Sequence, residues 1–310
     1  MGAVAATARG QMAELDEMRR NHGDNFPGSD YHPPDRRNWM LNLNPDRVRI
    51  NRIVWPGTHN SATNTVAPIM GAFAACQDLS VYDQLIRGTR VLDIRVARDR
   101  VVCHDTIPGC HVDVVLNDIR RFLSETQAEI IILEIRTEFG HTDPPGFDNY
   151  LVEQLGGFLI HSDDSVFNRT IAQILPRRVI CVWKPRNSSP PGVGGPLWPS
   201  GYLRDEWIDT DLPLSKFDHN LRVLRAQPPA GSRNYFYRVE NTANVKASGF
   251  LDWDLRGVTD RIRPFARLFI SQCQAHGILD RLQVLSCDFI NEDFVDACVG
   301  LTHARIHNHA

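Results

Sequence analysis

The sequence predicts one α/β domain built as a closed, somewhat imperfect parallel barrel, and three observations lead there. Short β-branched or aromatic runs alternate with stretches of helical period from about residue 36 to the end of the chain. Several of those runs are apolar almost throughout, the pattern of strands buried on both faces of a sheet. A chain of 310 residues with 42% apolar and 23% charged content suits one large domain. A length rule of roughly 150 residues per domain would suggest two, but α/β barrels reach this size undivided.

Residues 1–35 are polar, and NHGDNFPGSDYHPPDRR is broken by glycine and a Pro-Pro pair, so a mobile leader with one short helix near 10–20 is expected, followed by the barrel over 36–310. The strand candidates are RIVW (52–55), RVLDIRV (90–96), RVVCHD (100–105), EIIILEIR (129–136), RVICVWK (178–184), NYFYRVE (234–240) and QVLSCDFI (283–290). Between them DVVLNDIRRFLSETQ sets Val115, Ile119, Phe122 and Leu123 on one helical face, with Asp113 as candidate N-cap. FDNYLVEQLGGFLI and TDRIRPFARLFISQCQAHG have the same period, the second ending on a glycine suited to a C-cap.

Charge and composition narrow the function. A formal net charge of −3 argues against a nucleic-acid binder, which carries a basic excess or stripe. No apolar run approaches the roughly 18–20 residues that cross a bilayer, and MGAVAATARGQMAELDEMRR lacks the apolar centre of a secretory signal. Ala6 stands where an N-myristoylation motif needs Ser or Thr. Seven cysteines at irregular spacing, with no CxxC pair, signal neither a disulfide framework nor a zinc site, and Cys181 and Cys287 lie in apolar runs as small core residues. The expectation is a protein of a reducing, cytoplasmic compartment.

In parallel barrels chemistry gathers at the C-terminal ends of the strands. There VWPGTHNSAT puts His59 just beyond the first strand, after what reads as a Pro-Gly turn; Asp93 and Arg95 end the second, His104 and Asp105 the third. Two imidazoles on one rim can serve as base and acid near neutral pH. A guanidinium between them offers a fixed, forked cation that suits phosphate. Together they point to phosphodiester cleavage, although each residue alone also fits a satisfied polar group or a structural ion pair.

PGTHNSAT, GTRVLDIRV and VVCHD, in this order and with 45 residues from His59 to His104, resemble the X-domain of phosphatidylinositol-specific phospholipases C, in particular the small bacterial type and its X-domain-only eukaryotic relatives. The resemblance extends more weakly over about 45–300. It implies a distorted TIM (β/α)8-type barrel. It also implies a reaction in which the inositol 2-hydroxyl attacks phosphorus, diacylglycerol leaves, and a cyclic inositol phosphate forms. Carried over by motif, His59 is the general base, His104 the general acid and Arg95 the phosphate stabiliser with Asp93 beside it. VLSCDFI resembles the final barrel strand, whose aspartate, here Asp288, orients the first histidine; a helix cap near Asn291 is its other reading.

VICVWKPR and LRDEW resemble segments that reach the inositol ring, implying Lys184 or Arg186 for the hydroxyls, Asp205 as a hydrogen-bond partner and Trp207 against the ring face. Asn60 follows the first histidine where the bacterial type has aspartate, and is counted with the substrate-binding residues. The calcium-dependent eukaryotic enzymes have asparagine there as a ligand and a glutamate at the place of Glu134, so a calcium set would be Asn60, Asp93 and Glu134. Because Arg95 stands where those enzymes have a second acid, the resemblance implies no metal, and Glu134 would instead pair with Arg95 or Arg136. The implied partner is phosphatidylinositol or a related inositol lipid, reached at a membrane surface by transient contact. Trp183, Trp198 and Tyr202, amid proline and glycine, are the candidate interfacial aromatics. The competing readings are an inactive X-domain that binds inositol lipid or a protein, and another barrel phosphodiesterase of glycerophosphodiester or sphingomyelinase D-like type.

Overall fold

A computed structural model describes residues 2–244 and 254–307. Its strands are β1 (Trp55–Thr58), β2 (Val91–Val96), β3 (Val101–His104), β4 (Ile107–His111), β5 (Ile131–Thr137), β6 (Val179–Lys184), β7 (Leu203–Asp205), β8 (Phe236–Asn241) and β9 (Val284–Cys287). Its helices are α1 (Gly2–His22), α2 (Trp39–Asn42), α3 (Pro68–Ala74), α4 (Val81–Ile86), α5 (Val112–Ser124), α6 (Phe147–Leu155), α7 (Ile171–Ile174), α8 (Pro213–Arg225), α9 (Leu255–Ile262), α10 (Ala266–Ala275) and α11 (Glu292–Ile306). None is long and apolar enough to cross a membrane, among the described residues.

Seven strands run parallel in the order β6-β5-β2-β1-β9-β8-β7, a curled sheet of the distorted TIM-barrel kind. The sheet does not close fully. Among the described residues β6 and β7 form no ladder; β6 is instead bridged at Val182 to Trp198, in the segment that leads to β7, with Trp183 N–H to Trp198 O at 3.1 Å and Trp198 N–H to Cys181 O at 2.8 Å.

The pleat sorts the side chains. On the outer face Leu92, Ile94, Ile131, Leu133, Cys181 and Trp183 form an apolar cluster with the buried stripe of α5, where Val115, Ile119, Phe122 and Leu123 all lie as the helical period requires. On the inner face an apolar floor of Trp55, Val91, Ile132, Ile180, Phe236 and Val284 belongs to the larger cluster. Above it the same face turns charged, with Asp93 beside Glu134 and Arg95 beside Arg136 and Lys184 across β2, β5 and β6. Cys181 and Cys287 are buried, and burial pushes the Cys181 thiol up to about 12. All seven cysteines are free.

Several expectations are corrected. The first strand lies three residues later than expected, and Pro56-Gly57 is part of it rather than a turn. A Cβ at Gly57 would come within 2.5 Å of Ser286 Oγ, so this glycine lets β1 sit close to β9. The expected third barrel strand, 100–105, is one arm of the antiparallel hairpin β3–β4, which hangs from β2 and turns at Asp105, φ +54. β4 was missed because Pro108 and Gly109 interrupt it, and β7 because it has three residues. The N-cap of α5 is His111, with Asp113 inside the first turn. The stretch 259–277 is two helices joined by a 3-10 turn at Arg263–Phe265, because Pro264 cannot continue the first.

The helix of the leader is longer than the short one expected near 10–20. Residues Gly2–His22 form one helix whose Leu15 is fully buried in the main core, and Gln11 Oε1 accepts the backbone N–H groups of Leu214 (3.0 Å) and Ser215 (3.2 Å) at the start of α8. Phe26, in the segment read as loop, is buried too.

Candidate active site

The C-terminal mouth of the barrel opens into a cavity of 510 Å³ whose walls include His59, Arg95, His104, Arg136, Glu138, Asp205, Trp207 and Glu240. His59 enters from the end of β1. Its backbone N–H donates to Cys287 O at 3.2 Å, and Gln77 Nε2 donates to both His59 O (3.1 Å) and Cys287 O (3.0 Å), tying the ends of β1 and β9 together. The turn that follows is possible because Asn60 takes a left-handed conformation, φ +44, which asparagine tolerates.

His59 Nδ1 lies 2.8 Å from Asp288 Oδ1, and the other Asp288 oxygen accepts from Ala243 N–H at 2.5 Å. Nε2 of His59 is thereby left for a ligand. Burial pushes the imidazole towards its neutral form, but the Asp288 charge, with Cys76 close by, outweighs it and holds the pKa well above the usual histidine range. The competing reading of Asp288 as a helix cap fails, since Asn291 Oδ1 takes Phe294 N–H at 2.9 Å and caps α11.

His104 reaches the same cavity from the hairpin. Its Nδ1 sits 2.8 Å from Ala74 O, so Nδ1 donates and Nε2 is again the atom available to a ligand. Burial lowers its pKa, while Cys76 and the Ala74 carbonyl raise it, leaving a net rise. The two rings stand 6.5 Å apart, centroid to centroid, at 77°. Arg95 is held between Asp93, 3.2 Å from Nη2, and Glu138, 3.5 Å from Nη1. Burial would raise the Asp93 carboxyl, but Arg95 first, then Arg136 and Arg238, keep it well below its ordinary range. Asp93 also accepts Asn60 N–H at 3.2 Å.

The structure thus brings His59, His104, Arg95, Asp93, Asp288, Asp205 and Trp207 to one site, five of them on the cavity wall with Asp93 and Asp288 directly behind. Asn60, Lys184 and Arg186 are not on that wall. Asn60 is buried, with Nδ2 3.5 Å from Cys76 Sγ. Lys184 Nζ is spent on Glu134 (2.9 Å) and Leu203 O (2.8 Å). Arg186 Nε donates to Glu138 O at 3.2 Å, with its guanidinium over the Phe139 ring. The expected interfacial aromatics are corrected as well. Trp183 packs outward against Phe147 on α6, Trp198 is fully buried, and Tyr202 Oη donates to Asp164.

Glu134 meets three cations, Arg136, Arg238 and Lys184, which occupy both its oxygens. Burial would raise its pKa, and these cations drive it well down instead. With Arg95 on Asp93 as well, the set of Asn60, Asp93 and Glu134 does not fit calcium, which needs six to eight oxygens that are not already neutralised. Glu134 pairs with Arg136, one of the two partners expected, and Arg95 takes Glu138 instead.

Sequence reasoning missed Glu138, Arg238 and Glu240 and saw Arg136 only as a partner. Arg238, fully inside the barrel, joins Glu134, Asp205 (2.6 Å) and Glu240 (3.1 Å) in one network. A signal for them existed. Glu134, Arg136 and Glu138, and likewise Arg238 and Glu240, alternate at a period of two, as Asp93 and Arg95 do, and so share the inner face.

No family model matches the chain. A PI-PLC X-box domain-containing protein of Dictyostelium discoideum is 28% identical over 158 residues, 44% of this chain and 21% of that protein. A 1-phosphatidylinositol phosphodiesterase of Listeria monocytogenes is 29% identical over 111 residues, 34% of this chain and 35% of that protein. The chain therefore matches well under half the length of these curated relatives. Among solved structures, the phosphatidylinositol-specific phospholipase C from Listeria monocytogenes superposes with a TM-score of 0.69 at 18% identity, covering 86% of this chain and 98% of that one. A point mutant of the phosphatidylinositol-specific phospholipase C from Staphylococcus aureus gives 0.65 at 18% identity over 86% and 97%. By sequence over part of its length, this chain is similar to proteins of the phosphatidylinositol-specific phospholipase C X-domain type, and by fold over most of its length it is similar to the bacterial enzymes.

Proposed function

We propose that the protein is a phosphodiesterase that cleaves phosphatidylinositol without a metal ion. The observation that carries this is the pair of imidazoles, each anchored through Nδ1, that face one cavity 6.5 Å apart with Arg95 beside them. His59 Nε2 takes the proton of the inositol 2-hydroxyl as that oxygen bonds to phosphorus. Asp288 stabilises the imidazolium that results. Arg95, preorganised by Asp93 and Glu138, holds the charge growing on the phosphoryl oxygens. His104 Nε2 gives its proton to the glycerol oxygen as the phosphorus–oxygen bond breaks, releasing diacylglycerol and a cyclic inositol phosphate. The likeness to relatives named for this chemistry supports the assignment.

Asp205 and Trp207, on the opposite wall, suit the ring hydroxyls and one apolar ring face. Trp207 is 49% exposed, and Phe73 and Phe139, at 44% and 73%, share the cavity rim with it. Three large apolar side chains around one polar mouth suit transient contact with the lipid surface that presents the headgroup, in place of the tryptophans and tyrosine expected from the sequence. The free thiols suit the cytoplasmic side of a membrane.

Labelled phosphatidylinositol in mixed micelles, incubated with the protein in excess chelator, tests the proposal. The expected product is cyclic inositol phosphate, lost in His59→Ala and His104→Ala. Activity that disappears in chelator means a metal enzyme; no product with retained binding of inositol lipid means a binding module. Either result overturns the proposal.

A further inference from the structure

Cys76 has no part in the reaction described above, yet it sits between both imidazoles. Its Sγ is 4.0 Å from His104 Nδ1 and 3.5 Å from Asn60 Nδ2. A ring nitrogen of His59, Sγ of Cys76 and a carboxylate oxygen of Asp288 all lie within 4.8 Å of one another, and all three residues are buried. Zinc, with bonds of about 2.0–2.3 Å in a tetrahedron, needs donors roughly 3.3–3.8 Å apart. Small side-chain rotations close that difference. The donors are also of the right kind, since thiolate and imidazole favour zinc-class ions over the oxygen-seeking calcium and magnesium.

We propose that His59, Cys76 and Asp288 form an inhibitory site for zinc or a similarly soft divalent cation, set directly behind the cavity wall. The ion enters along the wall formed by His59 and His104. It takes the lone pair of His59 Nδ1, now 2.8 Å from Asp288, together with the thiolate and one Asp288 oxygen. The thiol proton and the imidazolium proton leave to solvent, so binding tightens as pH rises. One dipositive ion balances thiolate and carboxylate, and His59, tied to metal through Nδ1 and parted from the carboxylate that supports its imidazolium, no longer serves as the base. The inhibitory consequence rests on the function proposed above; the binding itself does not.

The test titrates reduced, chelator-stripped protein with Co²⁺. The expected result is a thiolate-to-cobalt charge-transfer band with tetrahedral d–d absorption, complete at one equivalent, displaced by Zn²⁺, retained in Cys110→Ser and lost in both Cys76→Ser and Cys76→Ala. No band in the wild type, or a band that survives in the Cys76 variants, overturns the proposal. X-ray absorption of the zinc-loaded wild type needs no variant: one sulfur with nitrogen and oxygen neighbours is expected, and no sulfur or two or more refutes the site. In phosphatidylinositol turnover, stoichiometric Zn²⁺ inhibits the wild type, and Cys76→Ala needs at least tenfold more. A wild type inactive on phosphatidylinositol that still shows the band ends the catalytic reading and leaves the metal site standing. An active wild type without the band does the reverse.

Discussion

At the scale of single residues, the mechanism proposed above divides the site into groups that move protons and groups that hold them in place. Replacing His59 or His104 by alanine is expected to lower turnover by about 10²- to 10⁴-fold each with the fold intact, checked by initial rates and circular dichroism. Asp288→Asn is more informative. The base must be neutral to act, and Asp288 holds the His59 pKa up, so the acid limb of the wild-type kcat/KM profile falls above the ordinary histidine range. The variant moves that limb to lower pH while lowering the plateau; an unmoved limb would mean that another group controls it. The same raised value links to stability. His59 protonation contributes fully below its unfolded value of about 6.5 and is lost as pH rises through the folded value, so Asp288→Asn destabilises the protein more in acid than in alkali. Denaturant melts across that range measure this.

At this scale the sequence was legible where chemistry is unusual and opaque where it is ordinary. His59, Arg95 and His104 stand out as strand-end residues in a distinctive order, and Asp288 meets His59 from 229 residues away. Lys184 looked like an inositol contact, but its strand delivers it to Glu134, an ion pair that no local pattern encodes. Trp183 and Trp198 looked interfacial because a proline- and glycine-rich neighbourhood says nothing about which way a side chain points. Trp183 is an outward strand position covered by α6.

At the scale of elements, strand interiors were readable and strand edges were not. The near-continuous apolar runs of β5 and β6 declared themselves, whereas β7 was too short to show a period, and the β3–β4 hairpin imitated a barrel strand in its first arm. The inner charges of β2, β5, β6 and β8 make these strands depend on each other. Glu134→Gln leaves Arg238, buried beyond solvent reach, short of its principal counter-charge and is expected to cost about 3–5 kcal/mol in urea unfolding. Gly57→Ala drives a methyl into Ser286 Oγ and is expected to cost about 1–3 kcal/mol, with reduced activity because His59 lies two residues on. Removal of residues 1–22 takes Leu15 from the core and the Gln11 amide from the start of α8, so the shortened chain is expected to melt at lower temperature rather than behave as a trimmed tag.

At the scale of the whole molecule, the function proposed above makes the polar mouth and its apolar rim one device for drawing a charged headgroup out of a lipid surface. Phe139→Ala and Trp207→Ala are expected to weaken sedimentation with anionic or phosphatidylinositol vesicles. Phe139→Ala leaves cleavage of a water-soluble, short-chain inositol phosphodiester near wild type, while Trp207→Ala also raises its KM through the lost ring contact. Equal losses on both substrates for Phe139→Ala would place that side chain in catalysis rather than adsorption. Both arginines of the cavity wall are already committed to carboxylates, Arg95 to Asp93 and Glu138 and Arg136 to Glu134, so additional phosphates on the inositol are expected to lower kcat/KM.

The gap between β6 and β7 gives this barrel something that an unbroken ring of strands would lack. A sealed cylinder shares strain around its whole girth, but here the two margins meet through the Trp198 backbone and the contact of Lys184 Nζ with Leu203 O rather than through a strand ladder. Amides along that lacing should trade deuterium sooner than those between β2 and β5. On the function proposed above, a headgroup bulkier than bare inositol is expected to be accommodated by spreading of the wall there.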